Sequence, residues 1–122
     1  MSKPIAIVRP PSTSIGDCLL THMQRAPIDH ALAMRQHEAY CDALARVGCE
    51  VVRIEPANDC PDAVFVEDPV VVVDELGVIA RPATDSRRRE RASMEAALKP
   101  YRELAHITSP ATIEGGDVIR VG

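Results

Sequence analysis

The sequence predicts an α/β fold in which a strand, helix, strand and hairpin unit is used more than once. Short apolar runs rich in β-branched residues alternate with helical patterns, which is typical of α/β proteins. An Arg-Pro pair precedes each predicted helix, at Arg9-Pro10 and at Arg81-Pro82. Each helix leads to a strand that ends near a proline, Pro56 or Pro110, and acidic residues follow. Units of this kind bury their apolar faces only against neighbouring units.

The first unit opens with a predicted strand at Ile5 to Arg9, which Pro10 and Pro11 end. Asp29 is the predicted N-cap of the first helix, and Gly48 is its predicted stop. Cys49 to Ile54 is predicted to form the next strand. Six residues recur at helical spacing and mark one face of the helix, with His37 expected beside the core: Leu32, Gln36, Tyr40, Ala43, Leu44 and Val47.

The second unit is predicted to contain a hairpin and a second helix. Asp74 to Gly77 is the expected turn, between a strand at Val70 to Val73 and a returning strand at Val78 to Arg81. Ser86 is the expected N-cap of the helix. Its buried face is expected to hold Met94, Ala97, Leu98 and Tyr101. Three further strands are expected at Ala63 to Val66, Leu104 to Thr108 and Ile113 to Val121.

The length of 122 residues predicts one domain with a core of its own. We expect a single domain over residues 1–122, with a first unit at about 1–60 and a second at about 61–110. A third unit is expected to begin at about 111–122. Because its strand reaches Gly122 before a hairpin partner can follow, the sequence is expected to hold about two and a half units.

The net charge of the sequence and the spacing of its cysteines argue against several classes of function. The net charge of -4 argues against a nucleic-acid partner, which usually leaves a clustered basic footprint. No signal-peptide pattern and no run of about 20 apolar residues occurs, so we expect a cytoplasmic protein with no membrane partner. The four cysteines, Cys18, Cys41, Cys49 and Cys60, show no C-x-x-C spacing, so no metal site and no redox pair is expected from them.

Two acidic segments are expected to carry the chemistry. Phe65-Val66-Glu67-Asp68 is predicted to close one apolar strand, and Glu114-Gly115-Gly116-Asp117 to open another. A half-buried carboxylate is costly unless a cation or a hydrogen-bond donor meets it. A guanidinium is the natural partner, because its fork of N–H donors matches the two oxygens of a carboxylate. The two segments together therefore predict a pocket for a planar cation.

At these residues the sequence resembles the dimethylarginine dimethylaminohydrolase family, within the guanidino-modifying superfamily of arginine deiminases and amidinotransferases. The resemblance runs in the family's order from near residue 5 to the end, and it covers the family's N-terminal half only. The matching segments are Ile7-Val8-Arg9, Arg35-Gln36-His37, Pro61 to Asp68, Arg81-Pro82 with Ser86-Arg87-Arg88, and Ala111 to Val118.

The resemblance implies a pentein fold, an α/β propeller of ββαβ units around a central pocket. It implies a hydrolase that needs no cofactor. In its reaction a cysteine thiolate attacks the guanidinium carbon of an Nω-methylated arginine, methylamine leaves, and water releases citrulline from the covalent intermediate. The implied substrate-binding residues are Leu20 in a mobile lid, Asp62 at the amino-acid end, Glu67 and Asp68 at the substrate nitrogens, Arg87 at the α-carboxylate, and Phe65. Glu114 would orient the catalytic histidine.

The resemblance also places the nucleophilic cysteine and the histidine in a C-terminal half that this sequence does not contain. We therefore expect the chain alone to be inactive, with a methylated arginine as ligand and self-association or the missing half as partner. One alternative is a non-catalytic half-ring that binds guanidino ligands or assembles with a partner chain. Another is a divalent-metal site built from oxygen ligands of Asp62, Glu67, Asp68, Glu114 and Asp117.

Overall fold

The computed structural model describes residues 2–122. The chain divides into two compact units, Met1–Val64 and Phe65–Gly122, and each unit has its own small sheet. In chain order the elements are β1 (Ile5–Val8), α1 (His30–Arg46), β2 (Glu50–Arg53), β3 (Val70–Val72), β4 (Leu76–Ile79), α2 (Asp85–Arg88), α3 (Arg91–Leu98) and β5 (Glu103–His106). The predicted α/β class is confirmed. Within residues 2–122, no helix has both the length and the apolar character that crossing a membrane requires.

The first unit is a parallel strand pair joined by α1. β1 and β2 pair in register from Ile5 with Glu50 to Val8 with Arg53, and a parallel pair needs a crossover such as α1. The predicted ends of α1 are confirmed. Asp29 accepts a hydrogen bond from the backbone N–H of Leu32 at 3.0 Å, which caps the helix. Gly48 has a φ of 98°, the left-handed conformation that ends a helix at low cost.

The buried face of α1 differs from the predicted one. Cys41 is 1% exposed, whereas Tyr40 is 56% and Val47 is 77% exposed. Only Leu44 of the predicted stripe lies toward the core, and His37 is partly buried as expected. The buried or partly buried side chains of α1 are His30, Ala33, Met34, His37, Cys41 and Leu44. Both stripes have helical spacing, and a free cysteine packs as a small apolar residue. The sequence of α1 therefore allows two apolar faces, and packing on the sheet selects between them.

The second unit is a three-stranded sheet in the order β3, β4, β5. The predicted hairpin is confirmed: β3 is antiparallel to β4, and Val70 pairs with Ile79. β4 then pairs in parallel with β5, with Leu76 opposite Glu103, and α2 and α3 lie between them in the chain. On α3, Met94 and Leu98 are buried as predicted.

Several predicted element boundaries around and within this unit are wrong. No strand forms at Ala63 to Val66: residues 61–64, at the end of the first unit, and 66–69 are turns, in which Ala63 and Asp68 donate their backbone N–H groups to the carbonyls of Cys60 and Phe65. The returning strand begins at Leu76, and the second helix begins at Asp85 after Thr84 and is broken between Arg88 and Arg91. Residues 113–121 contain a 3₁₀ turn, Gly115–Asp117, and no strand. Tyr101, which was predicted to be buried, is 37% exposed.

Candidate functional site

The residues predicted to form the site are divided between the two units. Leu20 and Asp62 belong to the first unit. The second unit contains Phe65, Glu67, Asp68, Arg87 and Glu114.

Asp62 in the first unit is a buried carboxylate, 6% exposed. It lies in the turn that Ala63 closes by donating its backbone N–H to the carbonyl of Cys60 at 3.1 Å. Both carboxylate oxygens accept from the backbone N–H of Leu19, at 3.1 and 3.2 Å. The next residue in the chain is Leu20, which is half-exposed. Asp62 therefore fixes the backbone of the segment that carries Leu20.

Arg25 binds the backbone of the same segment just before Leu19. Its guanidinium donates to the carbonyl of Gly16 and, at 2.9 Å, to the carbonyl of Cys18. The backbone folded around Arg25 encloses a shallow, mainly apolar cavity of about 130 Å³. The cavity is lined by Gly16, Cys18, Leu20, Met23, Gln24, Arg25, Ala26, Pro27 and Ile28.

In the second unit, the acidic segment Phe65 to Asp68 forms a turn at the start of the sheet. Asp68 donates its backbone N–H to the carbonyl of Phe65 at 3.2 Å. Pro69 follows, and its carbonyl accepts from Ala80 at 2.9 Å, which ties the turn to the end of β4. The side chains of Phe65 and Glu67 are exposed on this turn, and that of Asp68 is partly buried.

Arg87 is the buried cation of this unit, and its hydrogen bonds lead to the acidic turn. Nη1 donates to Asp68 Oδ2 at 2.6 Å, and Nη2 donates to the Phe65 carbonyl at 3.1 Å. Nε and Nη2 donate to the two carboxylate oxygens of Glu90, at 3.0 and 2.8 Å. Burial alone would lower the pKa of Arg87, but the hydrogen bonds that it donates to Glu90 and Asp68 outweigh burial and raise its pKa.

Glu90 is a site residue that sequence reasoning missed. It is 1% exposed and binds Arg87 bidentately. The available signal was its spacing three residues after Arg87, which places the two side chains on one face of a helical segment. Two of the residues predicted to contact substrate, Asp68 and Arg87, are therefore brought together as an ion pair, with Glu90 as a second anion.

The two acidic segments meet at Gly115. Its backbone N–H donates to the carbonyl of Asp68 at 2.7 Å. A Cβ at Gly115 would lie 2.1 Å from the carbonyl oxygen of Glu67 and 2.4 Å from that of Val70, so no side chain fits there. A Cβ at Gly116 would lie 2.4 Å from Asp68 Oδ1. This contact places Glu114, the residue before Gly115, beside the turn that carries Glu67 and Asp68.

The carboxylates at this junction outnumber the cations. Within the part of the chain that the structure describes, Glu67 and Glu114 make no side-chain hydrogen bond and no ion pair, whereas Asp68 is paired with Arg87. Two carboxylates, those of Asp68 and Glu90, thus bind the one guanidinium of Arg87, and neither Glu67 nor Glu114 is paired with it in the described residues. The arrangement is suited to a ligand that carries positive charge and N–H donors. In the same part of the chain, Glu67, Asp68, Glu114 and Asp117 supply no group of three ligand atoms within reach of one metal ion.

No protein-family model matches the chain. Among curated proteins it is 43% identical over 118 residues to N(G),N(G)-dimethylarginine dimethylaminohydrolase of Streptomyces coelicolor, covering 96% of this chain and 46% of that protein. It is 36% identical to the protein of the same name from Pseudomonas aeruginosa, covering 95% of this chain and 46% of that protein. The chain therefore spans about half the length of the curated relatives it matches.

Solved structures give the same result. A dimethylarginine dimethylaminohydrolase from Pseudomonas aeruginosa, a mutant complexed with citrulline, matches with a TM-score of 0.92 at 34% identity, covering 100% of this chain and 48% of that one. An adduct of dimethylarginine dimethylaminohydrolase with S-methyl-L-thiocitrulline matches with a TM-score of 0.91 at 34% identity, covering 99% and 48%. The N-terminal domain of the arginine dihydrolase ArgZ matches at 19% identity with a TM-score of 0.79, covering 89% and 41%, which shows a shared fold. The resemblance seen in the sequence is confirmed, and the chain is a relative of the dimethylarginine dimethylaminohydrolases that spans about half of their length.

Proposed function

We propose that this chain supplies the guanidino-binding carboxylates of a dimethylarginine dimethylaminohydrolase. The reaction converts an Nω-methylated arginine to citrulline and methylamine through a covalent cysteine intermediate. The proposed architecture is about two and a half ββαβ units of a pentein propeller within a single domain. The identities of 43% and 36% to curated enzymes of this name support the reaction class.

The observation that carries the proposal is the contact between Gly115 and the acidic turn. The 2.7 Å hydrogen bond from Gly115 to Asp68 joins the two acidic segments that the sequence singled out. In our proposal Glu67 and Asp68 accept hydrogen bonds from the substrate nitrogens. Glu114 orients and charges the catalytic histidine, which then acts as the general acid and base.

Arg87 serves the proposed site first by holding Asp68 in place. Its donors at Nη1, Nη2 and Nε go to Asp68, the Phe65 carbonyl and Glu90. A clamp on the substrate α-carboxylate stays a prediction, and it would require the guanidinium to share donors with these acceptors. Three further roles stay predictions: Asp62 contacts the amino-acid end of the substrate, Leu20 is part of a lid, and Phe65 is a substrate-binding residue.

The nucleophile and its histidine are proposed to lie outside this sequence. Cys18, Cys41 and Cys60 are buried, at 8%, 1% and 2% exposure. Burial also raises the pKa of Cys41, which disfavours the thiolate that attack on a guanidinium requires. In our proposal the chain alone is inactive and pairs with a C-terminal half.

A chimera tests this function directly. This chain would replace the matching residues of the Pseudomonas aeruginosa relative, and citrulline release from dimethylarginine would be measured. We expect the chimera to be active and the chain alone to release none. In the chimera, Glu114→Gln should lower kcat more than it raises KM, because its proposed role concerns the histidine.

Asp117→Asn is the matched control, since Asp117 is an exposed acid three residues after Glu114. Asp117→Asn should leave kcat and KM near those of the parent chimera. A folded chimera that releases no citrulline would contradict the proposed function. Citrulline release by this chain on its own, abolished by replacing one of its cysteines, would show that the nucleophile lies within it.

Binding to the chain alone addresses the alternative of a non-catalytic guanidino-binding half-ring. Amide chemical shifts of residues 66–68 and 114–117 would be followed during titration with Nω-methylarginine and, separately, with citrulline, whose side chain is neutral. Saturable shifts with methylarginine, lost in Glu67→Gln, would show guanidino binding by this half. That result together with an inactive chimera would favour the alternative.

A further inference from the structure

One turn of α1 carries three potential metal ligands outside the site described above. His37, Glu38 and Cys41 each offer one ligand atom, and these atoms all lie within 4.8 Å of one another. Cys41 Sγ and His37 Nδ1 are 3.7 Å apart, because residues four positions apart face each other on a helix. Within the described residues 2–122, this is the one group of three such side chains.

The spacing of these atoms fits a tetrahedral zinc ion. Zinc binds thiolate sulfur at about 2.3 Å and imidazole nitrogen at about 2.0 Å, so two such ligands at a tetrahedral angle are about 3.5 Å apart. The observed 3.7 Å between Sγ and Nδ1 is close to this value. The carboxylate of Glu38 completes a set of sulfur, nitrogen and oxygen donors, all of which zinc accepts.

We propose that His37, Glu38 and Cys41 bind a Zn²⁺ ion on α1, with water as the fourth ligand. On binding, the S–H bond of Cys41 breaks, its proton passes to solvent and an S–Zn bond forms. His37 coordinates through Nδ1 and Glu38 through one carboxylate oxygen. The thiolate and the carboxylate together balance the two charges of the ion.

The neighbouring Arg53 on β2 supports this assignment. Its Nη2 donates to Glu38 Oε2 at 3.0 Å, which leaves Oε1 for the ion. Carboxylates that bind metals are commonly oriented by such outer hydrogen bonds. The sulfur lies at the closed end of the cluster, since Cys41 is 1% exposed, while Glu38 is exposed to solvent. An ion can therefore enter from the side of the carboxylate and reach the sulfur last.

The competing explanation is a plain hydrogen bond from the Cys41 thiol to the His37 ring. Burial raises the pKa of Cys41, so an ion must displace the thiol proton. Burial lowers the pKa of His37, which keeps the ring in the neutral form that binds metals. The two explanations differ in whether an added metal ion forms a bond to sulfur.

Cobalt is the spectroscopic probe for this bond, and zinc dialysis gives the stoichiometry. We expect the full chain to bind one Zn²⁺, to release about one proton per ion, and to show a thiolate-to-cobalt charge-transfer band with Co²⁺. Cys41→Ala and His37→Gln should abolish the band and the tight binding. Glu38→Gln should weaken binding by about tenfold or more, because it removes a charged ligand.

Cys49→Ala is the matched control, since Cys49 belongs to the same unit but lies outside the cluster. It should bind cobalt and zinc as the parent chain does. If Cys41→Ala does not fold, His37→Gln still tests the proposal, because His37 is only partly buried and its replacement should leave the chain folded. No zinc binding, no cobalt band, or a band that persists in His37→Gln would overturn the proposal.

Discussion

Replacing Glu90 by glutamine tests the energetic role of the buried guanidinium. The change keeps the shape of the side chain but removes the charge that accepts from Arg87 Nε and Nη2. Breaking a buried ion pair by removing one partner costs about 3 to 5 kcal/mol. Because Asp68 still carries a charge 2.6 Å from Nη1, we expect the lower end of that range, a loss of about 3 kcal/mol in the free energy of unfolding.

Two related variants remove the charge of carboxylates that are more exposed than Glu90, so each should destabilise the chain less. The side chain of Asp68 is 32% exposed, so Asp68→Asn should cost about 2 kcal/mol, as expected for one charged hydrogen bond. Asp85 pairs with Arg88 on the surface and its side chain is 88% exposed. Asp85→Asn should therefore cost less than about 1 kcal/mol.

Urea unfolding followed by circular dichroism measures the free energy of unfolding of all three variants. A loss of about 3 kcal/mol corresponds to a fall of about 2 M in the urea midpoint for a typical small domain, with an unchanged m-value. The expected order of destabilisation is Glu90→Gln, then Asp68→Asn, then Asp85→Asn. If Glu90→Gln proves no more harmful than Asp85→Asn, the claim that Glu90 compensates a buried charge is refuted.

Three further predictions concern the junction, the Leu20 segment and association. Gly115→Ala should cost about 1 to 3 kcal/mol through overpacking, whereas Gly16→Ala, with no atom within 4 Å of its added Cβ, should be nearly neutral in the same urea assay. Asp62→Ala removes the acceptor of the Leu19 N–H, so amide exchange at Leu19 should accelerate, and Asp17→Ala should leave it unchanged. Exposed Met23, Val47, Ile119 and Val121 should make the chain self-associate, and a single monomer in sedimentation from micromolar to millimolar concentration would contradict this.

Local signals explain which parts of the fold were predictable. Asp29 and Gly48 act within one turn of α1, so both its cap and its stop follow from sequence alone. β1 and β2 follow from short apolar runs, and the hairpin from two such runs around Asp74 and Glu75. The buried face of α1 does not follow, because two stripes have the same period and only packing against the sheet chooses between them.

The candidate site was predictable in its residues but not in its connections. The acidic segments stand out because carboxylates next to apolar runs need a partner. The ion pair between Arg87 and Asp68 does not stand out, because the two residues are 19 positions apart and the family resemblance implied an external carboxylate for Arg87 instead. The absence of the predicted strands at Ala63 to Val66 and Ile113 to Val121 does not follow from local sequence, since the contact between Asp68 and Gly115 joins residues 47 apart.

The backbone angles of Gly115 and Gly116 help to explain why the second acidic segment contains two glycines. Among the described residues the glycines with positive φ are Gly48 and Gly122, so Gly115 and Gly116 adopt a backbone that any residue could adopt. Glycine is required at position 115 because an added Cβ would clash with the Glu67 and Val70 carbonyls, whereas a Cβ at position 116 would meet the end of the Asp68 side chain. Substitution should therefore be uneven: position 115 should stay glycine, position 116 should change where the Asp68 side chain can shift, and position 117 should vary independently. The glycine pair is present because the segment around Gly115 contacts the distant turn at Glu67 and Asp68. In homologous sequences the pair would therefore mark this tertiary contact.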